Sequence, residues 1–86
     1  MPELSRFFGI VIAMYFRDHA PPHFHARYGE HETKFAVDSG DIIEGSLPRR
    51  ARALVQEWHR LHVTELRSAW QAVQSRETPT KIEPLE

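Results

Sequence analysis

Apolar residues along this chain follow two different periods, close to two in the first half and close to 3.6 in the second. The stretch Ile10-Val11-Ile12-Ala13-Met14-Tyr15-Phe16 is β-branched and aromatic with apolar residues on both parities. It reads as a central strand covered at least partly on both faces. Arg17 to Pro22 interrupts it, because two successive prolines cannot continue a hydrogen-bonded ladder. Over His23 to Tyr28 the alternation is clean: Phe24, Ala26 and Tyr28 face one way, and His23, His25 and Arg27 the other. Gly29-Glu30 suits a two-residue hairpin loop of type II′, with glycine first. Thr33, Phe35 and Val37 then share the apolar face, Glu32, Lys34 and Ala36 the histidine face, and Arg27 stands opposite Glu32. A second turn at Asp38-Ser39-Gly40-Asp41 leads to a short strand, Ile42-Ile43-Glu44.

Gly45-Ser46-Leu47-Pro48 opens the helical half, with Ser46 the expected N-cap and Pro48 tolerated in the first turn. Ala51, Leu54, Val55, Trp58, Leu61, Leu66, Ala69, Trp70 and Val73 form the apolar stripe. His62 and Glu65 interrupt it, so the segment from about Leu47 to about Ser75 is read as one long helix, kinked or broken there. His59 is assigned to the surface. The expected fold is α+β: an antiparallel meander of three to four strands, followed by one long or broken C-terminal helix packed on one face. The span 1–86 is one domain, with 1–76 compact and 77–86 an extended tail whose only residues to bury are Ile82 and Leu85.

Composition narrows the chemistry. At 86 residues, 41% hydrophobic and 27% charged, the chain is an ordinary small globular protein whose site should lie on a sheet face or at a subunit junction. The absence of cysteine excludes disulfides, iron–sulfur clusters, thiolate zinc sites and cysteine nucleophiles. The longest apolar run is too short to span a bilayer, and the N-terminus does not read as a secretory signal, so a cytoplasmic location without membrane association is expected. A net charge of −1 argues against sequence-independent nucleic-acid binding. Nine of the eleven basic residues are arginines, however, which favours specific paired or phosphate contacts.

Three of the six histidines lie within seven residues, as His19-x-x-x-His23-x-His25. His23 and His25 share a strand face, and His19 can fold back over the prolines. Three neutral imidazoles form a workable shell for a divalent metal with an open position for water, and Asp18 can add a ligand or orient one. The same segment suits metal-free phosphodiester cleavage, with His23 and His25 as acid and base, and Arg27, with Lys34 beside it on the partner strand, next to the developing charge. The plain alternative is that these histidines cap backbone groups and pack against proline. His62 and Glu65 read as a surface pair at i, i+3. Arg49, Arg50 and Arg52 oppose the helix dipole at its positive end, a local patch suited to an anionic or acidic partner. Trp58 and Trp70 are core or dimer anchors.

Several stretches together resemble the bacterial family known as domain of unknown function 4160. They are Ser5-Arg6-Phe7-Phe8-Gly9-Ile10-Val11-Ile12, Met14-Tyr15, Asp18-His19, Pro21-Pro22-His23-Phe24-His25 and Tyr28-Gly29, then Glu57-Trp58, Leu61-His62, Glu65-Leu66, Trp70 and Lys81-Ile82-Glu83-Pro84-Leu85. The resemblance covers nearly the whole chain. It implies no established activity. It does imply a small protein partner encoded by a neighbouring gene, and so a toxin–antitoxin-type pair; joined to the imidazole pair beside cations, this favours action on or binding of RNA or DNA, with His23, His25 and Arg27 at the working face. His19, His23 and His25 carry over as a family feature without a catalytic role. A non-catalytic interaction module, a His-ligated metal protein and a homo-oligomer all remain open at this point.

Overall fold

The computed structural model describes residues 2–86 and begins with a hairpin that the hydrophobic pattern alone does not reveal. β1 (Glu3–Phe7) pairs antiparallel with β2 (Ile10–Ala13), and Phe8-Gly9 is the whole loop between the paired Phe7 and Ile10. Both loop residues have positive φ, 48° and 80°, the requirement of a type I′ turn that matches the twist of the flanking strands. β3 (His23–Tyr28), β4 (His31–Ala36) and β5 (Ile42–Gly45) complete an antiparallel meander in the order β1-β2-β3-β4-β5. The sheet therefore has five strands, not three or four. A register shift between Glu3 and Ser5 leaves the adjacent Leu4 and Ser5 both buried, which erases the alternation that would have marked β1 as a strand.

The turn and register expected after β3 hold. Tyr28 pairs with His31 around Gly29-Glu30, Gly29 has φ +56°, and Arg27 stands opposite Glu32. β2 ends three residues earlier than the apolar run Ile10–Phe16 suggests. The Asp18 side chain accepts a hydrogen bond from the Tyr15 N–H, and the Asp18 N–H donates to the Tyr15 carbonyl, so the chain turns instead of continuing the ladder.

α1 (Arg49–Gln74) packs on the face carrying Ile10, Ile12, Phe24, Ala26 and Phe35. Trp58 fills the centre of this layer, fully buried, with its ring 5.4 Å from Phe7 and 5.9 Å from Phe24. Burying large side chains of this kind contributes about 1.5–3 kcal/mol each before entropy is counted. Non-helical dihedrals at His62 (φ −130°, ψ 24°) place the expected break within one otherwise continuous helix. Pro48, not Ser46, occupies the N-cap, and no side chain caps it. Two positions on the stripe differ from expectation: Leu61 is 65% exposed, whereas His59 is buried and its Nε2–H donates to the Val37 carbonyl. The tail docks. The Ile82 N–H donates to the Leu4 carbonyl on β1, the Trp58 Nε1–H donates to the Glu83 carbonyl at 2.8 Å, and Ile82 and Leu85 are buried. No helix among the described residues is long and apolar enough to cross a membrane.

Candidate metal centre

Strand alternation puts His23 and His25 on the sheet face opposite Phe24 and Ala26, as their spacing requires. That face is not open at this end, because the loop 14–22 folds back across it. Both imidazoles are consequently buried, at 6% and 8% exposure. The loop brings Asp18 onto them. Asp18 Oδ2 lies 3.0 Å from His25 Nε2 and 3.4 Å from His23 Nε2, and one donor atom from each of the three residues lies within 4.8 Å of the others.

Each group is held from behind. His23 Nδ1–H donates to the Pro21 carbonyl at 2.8 Å, which fixes the tautomer and leaves the Nε2 lone pair pointing at the carboxylate. That Nε2 is buried without a hydrogen-bond partner. A lone pair facing a carboxylate oxygen at 3.4 Å is repulsive unless a proton or a cation lies between them. The His23 ring also packs against Trp70, at 5.3 Å, and the His25 ring meets Tyr15 edge-on at 4.3 Å. Asp18 is oriented by the Tyr15 N–H, and its own carbonyl accepts from Gln74 Nε2–H at 3.0 Å, which ties the loop to the end of α1. Burial pushes the His25 pKa below its ordinary value, only partly opposed by the hydrogen bond in which its Nε2–H donates to Asp18, so the imidazole favours its neutral form, from which a bound ion would displace that proton.

The geometry suits an ion. Metal–nitrogen and metal–oxygen bonds of about 2.1 Å separate adjacent donors by about 3.0 Å at right angles and about 3.4 Å at the tetrahedral angle. These are the two distances that Asp18 makes to the histidines. Two clefts are lined in part by these residues. One of about 300 Å³ is lined by Arg17, Asp18, His19, His23, Lys34 and Glu44 among others. The other, of about 220 Å³, reaches His25 and shares Lys34 and Glu44 with the first.

The remaining residues singled out from sequence are more dispersed. His19 is exposed on the rim of the larger cleft, and Asp18 is the third member of the converging group. Arg27 shares the histidine face but is exposed, opposite Glu32. Together with Arg6, which contributes most, and Lys81, it holds the Glu3 carboxyl below its usual range. Arg49, Arg50 and Arg52 are exposed at the start of α1, away from the histidines, and no ion pair among the described residues uses them. His62 and Glu65 form the expected pair at 2.6 Å, with His62 tilted against Trp58. The hydrogen bond from His23 to the Pro21 carbonyl is the backbone cap raised from sequence as the plain alternative, whereas nothing local announced the parts played by Trp70 and Gln74.

No curated protein and no solved structure matches the chain. Residues 9–71 match the model of the family described as Domain of unknown function (DUF4160), a span that runs from Gly9 in the β1–β2 turn through both histidines to just past the second tryptophan, and the chain belongs to that family.

Proposed function

We propose that the protein binds a divalent first-row transition-metal ion through Asp18, His23 and His25, leaving coordination positions open toward the two clefts. Two imidazoles and one carboxylate form a borderline donor set that suits zinc or iron(II), and three protein ligands leave room for water or a substrate. The observation that carries this reading is the orphaned, buried His23 Nε2, locked by Pro21 and aimed at Asp18. Metal-free acid–base chemistry has less support. Both imidazoles lean on one carboxylate, and of the two cations assigned to that reaction Arg27 is exposed beside Glu32, while Lys34 stands opposite His25 but pairs with Glu44. A metal-bound water at reduced pKa is a general route to phosphodiester cleavage, so action on RNA or DNA within a toxin–antitoxin-type pair is consistent with this centre.

The test compares wild type with Asp18→Asn, which keeps the acceptor for His25 but loses the charge. With free zinc at 100 times Kd, linkage stabilises the fold by about 2.7 kcal/mol. For a domain this small that is about 10–20 °C in Tm. Wild type should show this shift with one bound zinc by elemental analysis. Asp18→Asn should keep its metal-free Tm and lose most of the shift. A wild-type protein without stoichiometric metal, or an Asn variant with an equal shift, refutes the proposal.

A further inference from the structure

The charge around the three donors does not balance once a divalent ion is bound. One carboxylate and two neutral imidazoles leave the centre at +1. The larger cleft in front of it adds Arg17 and Lys34, opposed only by Glu44. Lys34 and Glu44 pair at 3.5 Å, but the Glu44 side chain is 71% exposed. Exposed pairs of long side chains are worth little, so Glu44 can yield Lys34 to an incoming anion. His19 adds a further donor on the rim.

From this arrangement we infer that the cleft binds a phosphate group, with one oxygen at the open metal position and the others reached by Arg17 and Lys34. The inference rests on the metal reading above. A phosphate suits the site better than a singly charged carboxylate. It carries enough oxygens to meet an ion and two cations at once, and the guanidinium fork matches its geometry. A cleft of about 300 Å³ lies at the lower limit for ligand pockets, which points to a terminal phosphate on a small body and not to a strand lying along the surface. Such a group belongs equally to a free phosphate ester and to a nucleic-acid end.

The test uses full-length protein loaded with cobalt(II), whose visible bands report changes at the open position, and titrates inorganic phosphate. Phosphate should alter the bands and bind with measurable heat. The double variant Arg17→Gln/Lys34→Gln should bind it about tenfold or more weakly, as expected for loss of charged hydrogen bonds. Its cobalt spectrum without phosphate should match wild type. Displacement of phosphate by a 5′-phosphorylated trinucleotide, with no displacement by the unphosphorylated one, supports the inference and extends the ligand to nucleic-acid ends. Displacement by a small phosphate monoester alone supports the inference and restricts the ligand to free esters. Equal displacement by the unphosphorylated trinucleotide overturns the inference, as does equal phosphate binding to metal-free protein. Cobalt binding with no response to phosphate overturns it while leaving the metal centre standing. Failure to bind cobalt removes the metal reading itself.

Discussion

Trp58 joins three parts of the molecule, and its replacement separates their contributions. The ring is fully buried against Phe7 and Phe24, and its Nε1–H holds the Glu83 carbonyl at 2.8 Å. Trp58→Ala removes the ring and leaves a cavity between helix and sheet, at a cost of about 3–5 kcal/mol. Total stability for 86 residues is about 4–13 kcal/mol at 0.05–0.15 kcal/mol per residue, so the alanine variant should be strongly destabilised, and unfolded where the total lies at the lower end of that range. Trp58→Phe is the informative substitution. It keeps an aromatic ring in the layer but loses the donor to Glu83, about 1 kcal/mol for the hydrogen bond and a similar amount for the smaller ring. The variant should fold with Tm lowered by about 8–16 °C. Limited proteolysis should then cut it within residues 77–86 well below its Tm, because Ile82 and Leu85 lose the tether that keeps them buried. Thermal denaturation, with mass-spectrometric mapping of early cleavage, reads both effects. An unchanged Tm, or a tail as protected as in wild type, would show that Trp58 does not link helix, sheet and tail.

Two further outcomes are expected. Burial lowers the His25 pKa, so the unfolded chain takes up a proton more readily than the fold; in metal-free protein, stability is full above about pH 6.5 and is lost as pH falls through the lower folded value, an effect that His25→Gln should flatten in denaturant titrations at pH 7.5 and 5. Gly40→Ala should destabilise by more than 1 kcal/mol, measured by urea unfolding, because Gly40 has φ +76° and an added Cβ would sit 2.6 Å from His59 Nδ1; a neutral result would mean that His59 does not pack there.

Alternation carried the reading where neighbouring residues alone decide. Phe24 and His25 sit on opposite faces because a strand permits nothing else, and Gly29-Glu30 turns because glycine supplies the positive φ. It lost β1 at the register shift and at Phe8, a non-glycine residue in the left-handed region that no turn preference singles out. On the helix, roughly 100° per residue puts His59 about 40° from Val55 and Leu61 about 120° away. Strict use of the angle, in place of hydrophobicity, would have buried the histidine and exposed the leucine. The donor set was half visible. His23 and His25 follow from spacing, but whether Asp18 or His19 meets them depends on how the loop 14–22 turns, and that turn is fixed from outside it, by Gln74 on the helix and by Asp18 bonding back to Tyr15.

Any meander ends in two strands with unpaired backbone groups, and here the two ends are closed by different means. Beside β1 the docked tail supplies the Ile82 N–H to the Leu4 carbonyl and buries the Ile82 side chain. At β5 the strand runs for only four residues, its pairing with β4 shifts between Lys34 and Phe35, and it carries the charged Glu44. It then leaves the sheet at Gly45, where backbone approaches the Glu32 carbonyl too closely for any side chain. A short, charged, irregular border is a poor template for a foreign strand, and a covered one is no template at all. The protein can therefore carry the β-branched run Ile10-Val11-Ile12 in its interior without offering neighbouring molecules a long flat ladder on which to stack.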